Sequence, residues 1–134
     1  MFALLLAASM LPPSPKPCPA DLVVENPRLQ VVRATDRSLD DYVVTVDVGN
    51  RGSAGQTPGV KQHLELLQHG KPLGAQPIPS LGTGERYAAA FRVSLPHERE
   101  RAPFPVAFHY VLDAPGDAAR DNCVSANDRV SATL

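Results

Sequence analysis

The chain has no excess of charge of either sign, because its 13 Lys and Arg residues are balanced by 14 Asp and Glu residues to a formal net charge of -1. Such a balance creates no strong electrostatic field, which argues against capture of nucleic acid or of an anionic membrane. Long apolar runs are also missing. The apolar segment at the N-terminus, residues 2–8, falls far short of the roughly 20 residues that a membrane-spanning helix needs. We therefore expect no nucleic-acid partner and no membrane span.

Metal-binding patterns are missing as well. The chain has two cysteines without C-x-x-C spacing, and four histidines, at positions 63, 69, 97 and 109. His63 and His69 are six residues apart, which along an extended strand is roughly 20 Å and too far to share one ion. We interpret the histidines as solvated surface residues and expect neither a metal nor another cofactor.

Catalytic signatures are equally scarce. The segment Gly52-Ser53-Ala54-Gly55 resembles a nucleophile elbow only superficially, because no strand-to-helix turn surrounds it. The aspartates at positions 40, 41, 113, 117 and 121 fall in predicted turns, where aspartate commonly caps the backbone. Phosphate loops and dinucleotide fingerprints do not occur. We predict no catalytic residue and expect that the protein is not an enzyme.

The composition indicates one globular domain. Hydrophobic residues make up 43% and charged residues 20% of 134 residues, a balance that supports a single packed core. Fourteen prolines and nine glycines indicate many turns and few long helices.

The N-terminus resembles a secretory signal. Apolar residues 2–8 lead into Ala7-Ala8-Ser9, small residues of the kind that precede signal cleavage, although no Lys or Arg comes before the run. An uncleaved tail is the alternative, and a lipid-anchored Cys18 is a minor one, because Pro15-Lys16-Pro17 separates that cysteine from the apolar run. We assign residues 1–19 to a signal peptide and proline-rich linker, residues 20–134 to the domain, and the protein to the periplasm or the extracellular medium.

Strand patterns fill the rest of the chain. In the clearest of them, Tyr42, Val44, Val46 and Val48 alternate with residues of the opposite face. His69-Gly70 predicts a hairpin turn, and Asn26-Pro27 predicts a break in a first, edge strand. Seven strands are expected, at residues 22–32, 42–48, 60–68, 73–78, 86–95, 104–112 and 124–134. This count and spacing predict an all-β, immunoglobulin-like sandwich of antiparallel strands.

Short motifs in a fixed order make the chain similar to the bacterial cell-adhesion-related domain family, CARDB. They are Asp21-Leu22-Val23-Val24, then Val46-Asp47-Val48-Gly49-Asn50-Arg51-Gly52, the hairpin at His69-Gly70, the turn Pro79 to Glu85, and Leu112-Asp113. The resemblance runs from Asp21 to Leu134 and implies an exported immunoglobulin-like or fibronectin-like sandwich. The family's acidic, asparagine-rich run near the last strand is reduced here to Asn127-Asp128. If that run binds calcium in relatives, most of the capacity is lost in this chain.

The two cysteines flank the predicted sandwich, with Cys18 just before the first strand and Cys123 just before the last. Two cysteines in an exported chain usually pair. We therefore predict a Cys18–Cys123 disulfide, which in the loop-entropy model stabilises the fold by roughly 4 to 5 kcal/mol at best.

Three functions remain open from the sequence. The first is a monomeric, non-catalytic binding or adhesion module of the cell envelope, which contacts an unknown protein or glycan through loops or a sheet face. The second is a periplasmic accessory or assembly factor that binds its partner by strand addition. The third is a small hydrolase or metal-binding protein built on a sandwich, which a buried group of titratable residues near His63, His109 or residues 113–121 would support.

Overall fold

The computed structural model describes residues 19–34, 39–96, 103–113, 121–123 and 126–133, and of residues 31–34 and 39 it describes the backbone alone. These residues form an all-β structure, which confirms the fold class expected from the sequence. Its seven strands are β1 (Leu22–Ala34), β2 (Leu39–Asn50), β3 (Gln62–Gln68), β4 (Lys71–Pro77), β5 (Arg86–Pro96), β6 (Pro105–Leu112) and β7 (Arg129–Thr133).

The strands form two antiparallel sheets. One has three strands in the order β1-β2-β5, and the other has four in the order β4-β3-β6-β7. The core lies between the two sheets, because alternate residues of the strands are apolar and point to the same face. Val44, Val46 and Val48 of β2 belong to one buried cluster with Leu64, Leu66, Val106, Phe108 and Tyr110 of the other sheet and Ala89 and Phe91 of β5, and Tyr42 is buried as well. Each of the valine, leucine and phenylalanine side chains in this core contributes about 1.5 to 3 kcal/mol on burial.

The first strand continues through the predicted break. β1 is an edge strand, as expected, but Asn26 and Pro27 form a register shift within it instead of ending it. Asn26 has a φ of 57°, a conformation that asparagine tolerates better than most residues. Because proline has no N–H to donate, a bulge on an edge strand is the position where it does least damage.

The β3–β4 hairpin turns where the sequence predicts. His69 and Gly70 both have positive φ, 48° and 76°, as a two-residue type I′ turn requires. The following β4 lies at a sheet edge, with Pro72 and Pro77 in it.

The last strand is shorter than the sequence indicates. β7 begins at Arg129, and residues 126–128 of the predicted strand lie in turns. Residues 1–18, which hold the predicted signal peptide, most of the predicted linker and Cys18, lie outside the described residues, as does His97, so the domain division at residue 20 stays a prediction.

Candidate functional site

The outer face of the four-stranded sheet carries a shallow depression of about 510 Å³. Its centre is Ala107, which lies in one cross-strand row between Leu67 of β3 and Ser131 of β7. The methyl group of Ala107 is the smallest side chain of that row, so the surface dips there. The depression opens beside the β3–β4 turn and is also lined by His69, Gly70, Pro105, Val106, Arg129, Ala132 and Thr133.

The rim of the depression is polar because β7 alternates. Arg129, Ser131 and Thr133 are exposed, while Val130 and Ala132 are partly buried against the core. A guanidinium and two hydroxyls therefore stand in a line along one side of an apolar floor. Groups of this kind hold a ligand by hydrogen bonds and charge rather than by covalent chemistry.

His63 lies on the same outer face but is held between two carboxylates. Its Nδ1 is 2.9 Å from Oδ2 of Asp113, and its Nε2 is 3.0 Å from Oε1 of Glu65. The side chain is 24% exposed, so the expectation of a solvated surface histidine is wrong at this position. Burial by itself would lower the pKa of His63, but the hydrogen bonds and negative charges of Asp113 and Glu65 outweigh it and raise that pKa above its usual value.

This ion pair predicts a pH-dependent stability. A histidine whose folded pKa is raised gives its full contribution below the unfolded pKa of about 6.5, and loses it as the pH rises through the folded value. The free energy of unfolding should therefore fall as the pH rises from about 6.5, by no more than about 1 kcal/mol for groups this exposed. Urea unfolding across that range measures the fall.

Two variants test whether the pH dependence of the free energy of unfolding is caused by His63. The His63→Gln protein should show a flatter pH dependence, whereas His69→Asn, which replaces a turn histidine by another residue that accepts positive φ, should keep the slope of the parent. A slope that survives in His63→Gln would contradict the assignment.

A buried polar group behind the other end of the sheet was not anticipated from the sequence. Gln56 and Gln62 exchange amide hydrogen bonds of 2.7 and 2.8 Å, and the hydroxyl of Tyr110 donates to Oε1 of Gln62. Gln56 also donates to the carbonyl of Asp121, while Oδ1 of Asp121 accepts from the backbone of Thr57. Burial raises the pKa of the Tyr110 hydroxyl well above its usual value. The Tyr110 hydroxyl therefore stays protonated and donates its hydrogen bond to a side-chain amide. We interpret this buried cluster as a structural one that holds the loop before β3 in place.

The motif V-x-V-x-N-x-G has a structural reason in this chain. Asn50, only 1% exposed, accepts hydrogen bonds from the backbone N–H groups of Asp21 and Gly52 and donates to the carbonyls of Ala54 and Leu81. One side chain thus joins the entry of β1, the end of β2 and the loop before β5. The sequence shows the motif but not these partners, which are up to 31 residues away.

Cys123, one of the two cysteines of the predicted disulfide, lies beside residues 20–22, where β1 begins. Its backbone N–H donates to the carbonyl of Ala20 at 3.0 Å, and the neighbouring Asn122 accepts from the backbone N–H of Leu22 at 3.1 Å. Cys18 lies outside the described residues. The pairing therefore stays a prediction.

The carboxylates of Asp21 and Asp128, at the two ends of the domain, are engaged with amide groups. The amide nitrogen of Asn127 lies 3.2 and 3.0 Å from the two oxygens of Asp21, and that of Asn122 lies 2.8 and 2.9 Å from those of Asp128. Burial is the largest cause of a raised pKa at Asp128. Each carboxylate therefore meets N–H donors where a cation would otherwise have to approach.

Comparison with known proteins places the architecture. No family model and no curated protein matches the sequence. Among solved structures, the CARDB domain of a Pyrococcus furiosus protein, in complex with di-metal ions, superposes with a TM-score of 0.60 over 86% of each chain, at 17% identity. The chain has a CARDB-like fold. A domain of a protein assigned to the cell surface of Methanosarcina acetivorans is similar too, with a TM-score of 0.57 over 87% of this chain and 90% of that one, again at 17% identity.

The CARDB-like fold confirms the resemblance read from the sequence motifs, as far as the fold goes. Neither similar structure is described as an enzyme. The metal ions of the Pyrococcus domain have no evident counterpart here: among the residues that the structure describes, no group of three or more His, Cys, Asp and Glu side chains is placed to hold an ion. The amide nitrogens beside Asp21 and Asp128 do not fit a cation site either. In the same described ranges, no helix has the length and apolar character needed to cross a bilayer.

Proposed function

We propose that the protein is an exported, non-catalytic binding module of the cell envelope that acts as a monomer and holds a partner protein in the depression around Ala107. The depression is the observation that carries the proposal. Its floor of Leu67, Ala107 and Pro105 with a polar rim has the composition of a protein–protein contact, in which an apolar centre is surrounded by hydrogen-bonding groups. The likeness to a cell-surface domain supports the location in the periplasm or outside the cell.

The depression suits a protein partner better than a glycan. The chain contains no tryptophan, and no aromatic ring of phenylalanine or tyrosine lines the described depression. The site therefore offers an apolar patch of aliphatic side chains without the large ring faces of tryptophan, tyrosine or phenylalanine.

The test is a comparison of two arginine variants. The full chain, expressed in its own cells and cross-linked in place, should carry a defined partner identified by mass spectrometry. Ala107→Arg fills the centre of the depression and should reduce the cross-linked yield by about tenfold or more. Ala54→Arg puts the same charge on an exposed loop residue at the opposite end of the sandwich, and should leave the yield unchanged.

The outcomes separate the modes of binding. Loss in Ala54→Arg with retention in Ala107→Arg would assign recognition to the loops and overturn the sheet-face proposal. The same recovered protein reports on export: its N-terminus should follow the predicted cleavage after Ser9, and Cys18 and Cys123 should be joined. Free thiols at both positions would contradict the disulfide.

Strand addition is a second candidate, and the edge of β5 favours it. β5 is eleven residues long, lies at the edge of the three-stranded sheet and has a proline only at its last position. Such an edge accepts an added strand in the manner of an assembly factor.

A further inference from the structure

Four strand edges border the two sheets, and three of them are blunted. β1 is interrupted by two register shifts, β4 carries Pro72 and Pro77, and β7 has five residues, with the turn before it bonded to β1 through the Val24 N–H and the Asn127 carbonyl. Natural edges are usually protected in these ways against pairing with foreign strands. β5 has no such interruption before Pro96.

The hydrogen bonds fix which backbone groups of β5 point outward. The Asn50 N–H donates to the Glu85 carbonyl at 3.0 Å, which makes Glu85 a bonded partner of β2. In an antiparallel ladder every second residue is bonded in this way, and the residues between them direct N–H and C=O away from the neighbour. The outward set on β5 is therefore Arg86, Ala88, Ala90, Arg92 and Ser94.

One outward N–H already has a substitute for a partner strand. The side-chain carbonyl of Gln76, from β4, accepts from the Ala90 N–H at 3.0 Å, in an exposed position. This oxygen occupies the place that a backbone carbonyl of an added strand would take. Because the bond is exposed, water can replace it at little cost, and a competing carbonyl can displace it.

The side chains of the edge define the chemistry of the partner. The outward residues place their side chains on the exposed face, where Arg86 and Arg92 stand at either side of the small Ala88 and Ala90. The side chain of Arg86 is 65% exposed, and its Nη2 lies 3.5 Å from Oε1 of Glu25. Arg92 has no ion pair within the part of the chain that the structure describes. On the other face, Tyr87 and Val93 are partly buried beside the core.

We infer that β5 binds an extended acidic segment of another protein by strand addition, with carboxylates beside Arg86 and Arg92, apolar side chains beside Tyr87 and Val93, and the Gln76 side chain as the group it displaces. The inference rests on the second candidate function and names its partner. Opposite charges on neighbouring strands favour this pairing, and a second copy of β5 would instead bring four arginines together.

The probe is a fluorescently labelled decapeptide of alternating glutamate and valine, titrated onto the purified full chain and followed by anisotropy. Saturable binding is expected, weaker at high salt, and a peptide with lysine in place of glutamate should not bind. Two further peptides carry N-methyl groups on all glutamates or on all valines. Since these modifications block opposite edges of an extended strand, one of the two should bind like the parent and the other should fail.

Protein variants test the same edge. Gln76→Ala removes the competing carbonyl and should tighten binding about threefold to tenfold. Ala90→Pro removes an outward N–H at a position where an edge tolerates proline, and should weaken binding about tenfold or more. Thermal unfolding shows whether Ala90→Pro keeps its fold, and Arg92→Ala, which leaves the backbone intact, should weaken binding and reduce its salt dependence.

The inference is overturned if the acidic peptide does not bind, if both N-methylated peptides behave alike, or if Gln76→Ala binds no more tightly than the parent. These results come from purified components and do not depend on the envelope cross-linking. Failure here therefore leaves the sheet-face proposal standing, and loss of the cross-linked partner in Ala107→Arg alone leaves the β5 assay unaffected.

Discussion

Replacement of Asn50 by alanine should lower the free energy of unfolding by about 3 to 5 kcal/mol, because four hydrogen bonds of roughly 1 kcal/mol each are lost and their backbone partners stay buried. The side chain is 1% exposed, so water cannot take its place without opening the loops that it joins. Urea denaturation of the purified protein measures the change. A small domain has about 5 to 15 kcal/mol in total, so this single substitution removes a large share of the stability.

A control variant tests whether the loss belongs to these bonds. Gln30→Ala shortens an exposed polar side chain on β1 and should change the free energy of unfolding by less than about 0.5 kcal/mol. Asn50→Asp keeps the acceptor oxygen for Asp21 and Gly52 but removes the donor to Ala54 and Leu81, and should still be clearly destabilised. A midpoint for Asn50→Ala equal to that of Gln30→Ala would refute the role given to Asn50.

Replacement of Gly52 by alanine should destabilise the fold by about 3 kcal/mol, the upper end of the range for an overpacked site. A Cβ atom at this position would lie 2.3 Å from the carbonyl oxygen of Pro19 and 2.6 Å from Cα of Ala20. Both are backbone atoms, so the clash can be relieved only by moving the backbone of residues 19 and 20. That movement would also strain the bond from the Ala54 N–H to the Pro19 carbonyl.

The matched control for Gly52, which lies just after β2, is Gly49 near the end of that strand. At Gly49 an added Cβ would approach Cγ of Arg86 at 3.4 Å, an ordinary contact with a flexible side chain. Gly49→Ala should therefore shift the thermal midpoint little. Equal shifts in the two variants would mean that the close approach of Pro19 does not determine the choice of glycine.

The alternation of apolar residues was enough to predict the number and order of the strands, but not all of their bounds. Tyr42 to Val48 alternate cleanly because one face of β2 packs on the core and the other is solvated, and side chains of a strand point to its two faces in turn. The same reasoning failed at Asn26-Pro27, where a bulge lets the strand continue past a proline. It failed again at residues 126–128, where turns precede a shorter last strand.

The sites were harder to predict than the strands, because their partners are distant in sequence. His63 and Asp113 are 50 residues apart, and no spacing rule connects them. The depression around Ala107 depends on which strands became neighbours, so the pairing of β6 with both β3 and β7 had to be known first. The Asn50 motif could be recognised as a motif, yet its purpose depends on the fold.

The hydrogen bonds of Asp21 and Leu22, where β1 begins, also constrain the order in which the protein can fold. The backbone of Leu22 is bonded to Asn122 and the carboxylate of Asp21 to Asn127, across separations of 100 and 106 residues. A chain made from its N-terminus cannot form these contacts until residue 127 has left the ribosome, and contacts of such long range slow folding. The nascent polypeptide should therefore fix the start of β1 in its final place only after nearly the whole chain has been synthesised.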